Sequence, residues 1–516
     1  MQEKQNGNNE INRKTFLRQG GSIALITALG LPLYSCDTTS AVDALSSTTD
    51  SNIKAFGAKG DGVSDDTQAF LDAFSAARSA NGGAIYMPDG EYVIKSRLSV
   101  DFPNFRMEGE SKDGVILKGL TFNEYFRFSG SNDISNLLFK NFTVEHGDRR
   151  VFVMPRDFIN KTSDIHFDSI KMTAGVDGTT PMDFNSPDSS HNRWFFRNCF
   201  IQNEGDSLHG IHVRTNVDGI WIEGNEVNLT NANNSLGNDD GAFNNIAVYA
   251  DCRNIHINNN VCRGGGHSPI ALSPSGKASI IGNKVYDCLT TSEGGIEVEW
   301  KDDHGGGLTS QEVIISSNYV ENCYWGIFVV RRDLAKPNPF NVIIANNIIR
   351  GCEQAGVFMN AAENVIVGGN IIDNCATCVR IEERVIDVII SSNHMINSSR
   401  GVWFRNIEES FGTDISIIDN LIKGMSTVGI LPEGSAFCKL DNNQIVNISG
   451  HGINGTGDAI SSSTISGNTL RNIDGKGIWL GGSATNNLIT GNLISSTGSE
   501  IDDGGTGNIL ENNKFL

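Results

Sequence analysis

Glu297 and Glu299 stand two residues apart among Ile296, Val298 and Trp300, with Lys301, Asp302 and Asp303 directly after them. Alternate residues of a strand share a face, so the stretch from Gly294 to Asp303 puts Glu297, Glu299 and Lys301 on one side. Two strand positions set the Cα atoms about 6.5–7 Å apart. Carboxyl groups separated by roughly 6.5–9.5 Å suit an inverting glycosidase, in which one protonates the leaving oxygen and the other activates water. Nearness of like charges raises one of the two pKa values and so supplies the acid. The same residues have a structural use: ion pairs with Lys301 and Arg332, or, with Asp302, Asp303 and His304, oxygen ligation of Ca²⁺.

The elements that must position these side chains are read from a repeat. From about Leu137 onward an apolar pair, two small or polar residues and an Asn recur, as in Ile222-Glu223-Gly224-Asn225, Ile315-Ser316-Ser317-Asn318 and Ile465-Ser466-Gly467-Asn468. The Asn positions are 198, 225, 260, 283, 318, 347, 370, 393, 420, 443, 468, 492 and 513, roughly 20 to 35 residues apart, which is the signature of a solenoid. Short runs of alternating Ile, Val and Phe bounded by Gly or Asn make each repeat a coil of strands rather than a helix pair. The chain is therefore expected to be all-β: a single-stranded right-handed parallel β-helix with an N-terminal capping helix, an Asn ladder at one turn and Val and Ile filling the bore. Roughly fifteen coils at about 4.8 Å each would rise about 70 Å.

Stacked coils allow outward residues to be read as columns. Aligning the segments that follow each Asn turn gives one column of His212, Ala247, Ala271, Glu297, Phe328, Phe358, Arg380 and Trp403. A second holds Arg214, Tyr249, Ser273, Glu299, Val330, Asn360, Glu382 and Arg405. Small residues lie on one side of the glutamates and aromatics and arginines on the other. This predicts a groove with an acidic centre, where sugar rings stack on aromatics and charged side chains hold polar groups. Arg380, Glu382, Arg384 and Arg405 beside Trp403 read as a subsite for an acidic or sulfated sugar, or alternatively as a solvated ion-pair network.

The composition narrows the classes. A formal net charge of −20 opposes nonspecific binding to nucleic acid or to an anionic membrane surface. Residues 1–36 read as a removed export signal: Arg13, Lys14 and Arg18 precede an apolar run too short for a permanent span. Leu33-Tyr34-Ser35-Cys36 is like a bacterial lipobox, which makes Cys36 the lipidation candidate, with a plain cleaved signal as the other reading. A flexible tether over 37–52 then leads to one β-helix domain over 53–516, its cap at about 53–100. The expected location is periplasmic or outer-surface, with membrane contact only through the lipid. Of ten cysteines, Cys288, Cys323, Cys352 and Cys375 each follow a ladder Asn by five residues. They should stack inward as small apolar core residues rather than pair as disulfides or bind zinc.

Ahead of the coils, Phe56-Gly57-Ala58-Lys59-Gly60-Asp61-Gly62 leads through Asp65-Asp66-Thr67 into a helix from Gln68 to about Ser79, with Phe70, Leu71, Phe74 and Ala77 on one face. Gly82-Gly83-Ala84-Ile85-Tyr86-Met87-Pro88-Asp89-Gly90-Glu91-Tyr92 then begins the first strands. This segment resembles the N-terminus of the pectate-lyase-like superfamily, which includes polygalacturonases, tailspike-type enzymes and alginate epimerases. The resemblance implies a carbohydrate-active β-helix, with Asp65 and Asp66 structural. Against the polygalacturonases, Asp239, Asp240 and His267 look like the family's DD and G-H-G elements and are further catalytic candidates. Asp206 lacks the NTD context, Ser268 replaces a Gly, and Glu297 and Glu299 stand where the family's R-I-K basics bind a substrate carboxylate.

The leading expectation is a secreted glycoside hydrolase acting through Glu297 and Glu299 on a polysaccharide, with no cofactor required and Ca²⁺ optional at Asp302 and Asp303. The substrate contacts are His212, Arg214, Tyr249, Lys301, Arg332, Arg380, Glu382, Trp403 and Arg405. A polysaccharide lyase is the alternative, with His212, Tyr249 or Lys301 abstracting the proton α to a uronate carboxylate. A non-catalytic glycan-binding lipoprotein is the third.

Overall fold

The structure is a computed structural model. It describes residues 51–516 apart from 120, 148, 175–178, 187–189, 204–208, 230–243, 250–251, 274–275, 289–292, 301–311, 332–339, 406–413, 458–459 and 497. Asp206, Asp239, Asp240, Lys301 to His304, Arg332 and the leader with Cys36 lie outside the described residues.

Short strands stack coil upon coil in parallel, and the described chain is a parallel β-helix, as the repeat predicts. A typical coil contributes Ala355–Asn360, Glu363–Gly368 and Ile371–Asp373, one strand to each of three faces, before Thr377–Glu382 begins the next. The first face is a sixteen-stranded parallel sheet running from Leu98–Val100 to Ile501–Asp503. The other two faces are bridged by Ile134–Glu145 and Thr162–Ala174, each long enough to pair across both. Strand alternation decides what enters the bore. In Glu363–Gly368, for example, Val365 and Val367 are buried against Val342 and Val388 of the neighbouring coils.

The turn between the second and third faces explains the repeat. The residue before each ladder Asn is left-handed, as at Gly369 (φ 66°), Ser392 (φ 56°) and Asp419 (φ 57°), which favours Gly and small polar residues there. Each Asn behind it is buried and satisfied. Asn370 Nδ2 donates to Asn393 Oδ1 at 3.0 Å and to Ile344 O at 2.9 Å, and Asn393 Oδ1 also accepts the Asn370 backbone N–H. The ladder runs from Asn225 to Asn513. Asn198 is a correction: it occupies the left-handed position itself (φ 53°), so Cys199 takes the ladder place and its N–H donates to Asn225 Oδ1.

The cap helix is Thr67–Ser79, and it covers the first coils through Phe70 against Tyr92 and Phe74 against Phe105, with ring centroids 5.8 and 4.9 Å apart. Leu71 is exposed, contrary to expectation. At 100° per residue the buried arc spans Ala69, Ala73, Ala77, Phe70 and Phe74, and Leu71 falls outside it. Asp66 is structural, its carboxylate accepting the Lys59 and Gly60 N–H groups of the preceding loop. The bore also differs from expectation at its N-terminal end, where Phe139, Phe167 and Phe196 stack in place of Val and Ile. All nine described cysteines are buried thiols outside any disulfide. Burial pushes Cys199 up to about 12 and Cys438 up to about 11, which keeps these thiols protonated and inert.

Candidate active site on the first face

Several strands of the first face, among them Trp325–Arg331 and Val428–Pro432, carry a glycine as their second residue because neighbouring coils approach too closely there for a side chain. A Cβ on Gly326 would lie 2.4 Å from Gly356 O, and one on Gly429 would lie 2.5 Å from Gly452 O. These glycines fix the register from which the columns follow. Asp183, His212, Ala247, Ala271, Glu297, Phe328, Phe358, Arg380 and Trp403 are successive ladder partners. Glu299, Val330, Asn360, Glu382 and Arg405 form the second column, and Arg214 pairs with Tyr249.

Glu297 and Glu299 project from Gly294–Trp300 away from the bore, yet they are not open to solvent: their exposures are 0% and 3%. Ser268 Oγ donates to Glu297 Oε2. His267 stands between two carboxylates, its Nε2 3.3 Å from Glu293 Oε1 and its Nδ1 3.8 Å from Glu297 Oε2. Burial alone would lower this imidazole, but the hydrogen bond with Glu293 and the charges of Glu297, Glu293 and Glu299 outweigh it and raise His267 to about 9. At neutral pH it is an imidazolium. Tyr249 moves well above the ordinary phenol value through burial, reinforced by Glu299, Glu297 and Glu293. Its hydroxyl donates to Asn244 Oδ1 at 3.0 Å, and Asn244 Nδ2 donates to Ser268 O at 2.6 Å. The structure thus joins Glu297, Glu299, His267 and Tyr249 in one cluster.

On the N-terminal side, His212 is buried with Nδ1 3.0 Å from Asp183 Oδ1 and its ring stacked on His209. On the C-terminal side runs an aromatic and arginine rail. Phe358 stacks on Trp325 at 4.2 Å and on Phe328 at 5.1 Å. The Arg380 guanidinium lies over Trp325, Phe358 and Trp403, and its Nε donates to Glu382 Oε1 at 2.8 Å. Arg380 is buried, so the solvated-network reading does not describe it. Arg400 and Arg405 flank the Trp403 ring, whose Nε1 donates to Glu433 Oε2 at 3.1 Å. Burial, with the positive charges of Arg380 and Arg405, lowers Arg400 below the ordinary guanidinium value.

Glu293, Asn244, Asp183, Trp325 and Arg400 are members of this surface that the sequence reading missed. Asp183 was one ladder step beyond the first aligned segment, and its alternation in Met182-Asp183-Phe184 would have shown it. Trp325 and Arg400 occupy the position just before the strand glycine, which a strict in-and-out count assigns to the bore.

Residues 51–288 match the family model described as rhamnogalacturonase A/epimerase, pectate lyase-like. Residues 289–410 and 385–516 match the periplasmic copper-binding protein (NosD) model. The probable rhamnogalacturonase E of Aspergillus flavus is 27% identical over 247 residues, 46% of this chain and 50% of that protein. Mannuronan C5-epimerase AlgE1 of Azotobacter vinelandii is 58% identical over 45 residues, 9% of this chain and 3% of that protein. The chain thus spans half or less of the length of these curated relatives. A tailspike mutant of Escherichia coli bacteriophage HK620, solved with a hexasaccharide, aligns with a TM-score of 0.47 at 11% identity, covering 90% of this chain and 80% of that one. Through residues 51–288 and the fold they begin, the chain is related to the pectate-lyase-like parallel β-helix proteins.

Proposed function

We propose that this protein is an exported polysaccharide-degrading glycoside hydrolase with Glu297 and Glu299 as its paired carboxylates. The observation that carries the reading is the placement of two buried glutamates at alternate positions of one strand, with Ser268 and His267 on Glu297. Ser268 donates to Glu297 and His267 stands beside it, so Glu297 is assigned the role of base and Glu299 that of acid. Glu299 then protonates the leaving glycosidic oxygen while Glu297 takes a proton from the attacking water, whose oxygen bonds to the anomeric carbon. Turnover requires the pair to be uncovered when substrate binds.

The acidic centre favours hydrolysis over β-elimination. A lyase base must be deprotonated beside a neutralised uronate carboxylate, whereas burial first, and then the acidic surroundings, hold Tyr249 protonated. The substrate contacts we assign are His212, Arg214, Tyr249, Arg380, Glu382, Trp403 and Arg405, with Lys301 and Arg332. Asp239 and Asp240 remain catalytic candidates, Asp302 and Asp303 the place for Ca²⁺, and Cys36 the lipid attachment point of a periplasmic or outer-surface protein. Among the described residues, His267, Glu293 and Glu297 have metal-ligating spacing.

The test is incubation with a panel of acidic and neutral polysaccharides, following reducing ends and the ultraviolet absorbance of unsaturated uronates in parallel. New reducing ends without that absorbance support hydrolysis. Unsaturated products, or a change in sugar configuration without chain cleavage, would replace the reading with a lyase or an epimerase, and binding without turnover with a glycan-binding protein.

A further inference from the structure

The second face, to which Glu363–Gly368 belongs, carries an outward column unlike either column of the first. Its N-terminal half is a stack of rings. His166 lies on Phe195 at 4.3 Å, Phe195 on Trp221 at 4.7 Å and Trp221 on His256 at 5.4 Å, at interplanar angles of 15°, 14° and 17°. The next ladder partner is Ser279, whose Oγ is 2.9 Å from His256 Nδ1. Beyond it the column continues through Ile314, Ile343, Ile366 and Ile389. Phe195 is buried between its ring neighbours, and the other members are half-buried. Burial, with the positive charge of Arg197, lowers His166 to about 4, and burial lowers His256. Both imidazoles are therefore neutral at neutral pH, and the column is an uncharged stripe on a chain of net charge −20.

The adjoining outward column, two residues further along each strand, has the opposite order of size. Beside the rings it holds Asp168, Arg197, Glu223 and Asn258, and beside the isoleucines Ser316, Ala345, Gly368 and Ser391. Ile281, 37% exposed, separates the two halves, as Ser279 does in the first column. The long side chains carry their own partners: Arg197 Nε donates to Glu223 Oε2 at 3.1 Å, and Asp168 Oδ1 accepts from Asn198 Nδ2 at 3.1 Å.

This order is self-complementary. A two-fold axis along the strand direction, through Ser279 and Ile281, exchanges the halves of both columns. It sets His256 against Ile314, Trp221 against Ile343, Phe195 against Ile366 and His166 against Ile389 of a second copy. In the adjoining column it sets Arg197 against Gly368 and Glu223 against Ala345, so long side chains meet small ones throughout. Parallel pairing of the same columns would instead oppose Arg197 to Arg197, which like charges disfavour, and leave the small residues facing one another. Eight ladder steps and two columns cover about 38 by about 15 Å. A face-to-face pair therefore removes roughly 1,100 Å², above the approximately 1,000 Å² that a specific interface needs.

We propose that this stripe is the interface of an antiparallel two-fold dimer, its partner a second copy of this chain. The contact is isologous, the same patch meeting itself reversed, and so closes at two copies. The first face takes no part in it, so the inference is independent of the hydrolase reading.

The experiment is sedimentation velocity of full-length protein through the micromolar range, with Ile343→Lys for comparison. That substitution points outward between the buried Val342 and Ile344, which keep their places in the bore, and circular dichroism checks the fold. The wild type should sediment as a dimer, and Ile343→Lys should weaken dimerisation at least tenfold. A second arm reads the register by mild oxidation of Ser279→Cys and Ile366→Cys, with wild type as the control for native thiols. Ser279 faces its own copy across the axis, whereas the two Ile366 positions lie six ladder steps apart, about 29 Å. Ser279→Cys should give a covalent dimer joined through the substituted positions, as peptide mass spectrometry identifies, and Ile366→Cys should not. A monomer at every concentration, a dimer that Ile343→Lys leaves intact, or equal cross-linking of both cysteine variants, which marks a parallel pair, overturns the proposal.

Discussion

The imidazole of His267 reaches the buried carboxylate of Glu293 at 3.3 Å through Nε2 while its Nδ1 faces Glu297. Its value in the folded protein, about 9, exceeds that of a free imidazole, 6.5. The stability it contributes is therefore fully present below about 6.5 and is lost as pH rises through about 9. Because the cation favours ionised Glu297, turnover should decline over the same upper range. Replacing Glu293 by Gln removes the hydrogen-bonded charge, and the alkaline limb should move to lower pH. An NMR titration of the His267 ring with the pH profile of turnover checks both; an unchanged limb in Glu293→Gln would show that Glu293 does not set it.

Glu297→Gln and Glu299→Gln should each lower turnover at least about 100-fold, the ordinary loss for a positioned acid or base. Glycan binding, measured separately, should persist, since neither change removes the rail or the strand. Glu299→Gln should be rescued by substrates with a good leaving group, which need no protonation, and Glu297→Gln should not. The reverse pattern of rescue would exchange the two roles.

Asn393→Ala tests the ladder. The substitution strips the acceptor from the Asn370 N–H, one of two acceptors from Asn370 Nδ2, a donor from Val367 O and one of two donors from Asn420 Oδ1. Buried groups left unsatisfied cost about 1–3 kcal/mol each, so a loss of at least about 2 kcal/mol is expected in chemical denaturation. His394→Ala, at an exposed position one residue on, should change little.

The fold was legible because two local rules repeat. A left-handed Gly, Ser, Asp or Asn ahead of a ladder Asn marks each turn, and period-2 alternation after it marks each strand. Those rules also placed Glu297 and Glu299 in their columns. They failed where chemistry depends on non-sequential neighbours. Burial of the glutamates under Ser268 and Tyr249, and the seating of His267 on Glu293, arise from coils some 20 to 50 residues apart in sequence.

Trp403 offers the sharpest test of the C-terminal rail. Its ring is held by Arg380, Arg400 and Arg405 at 4.8, 4.4 and 5.4 Å and by the hydrogen bond to Glu433. A ring locked from several sides loses little freedom on binding a sugar, so its stacking energy goes into affinity. Aromatic contacts contribute about 0.5–1.5 kcal/mol beyond the area they bury, and 1.4 kcal/mol is about tenfold. Trp403→Ala should therefore raise KM for long chains by about twofold to twelvefold, with a smaller change in kcat. Trp403→Phe keeps a ring for the cations but loses the Nε1 donor, and should fall between. Oligosaccharides too short to span the three ladder steps from Phe328 to Trp403 should not register either change. If short and long substrates lose affinity equally, Trp403 acts by supporting the fold of the face, and the rail is not a subsite.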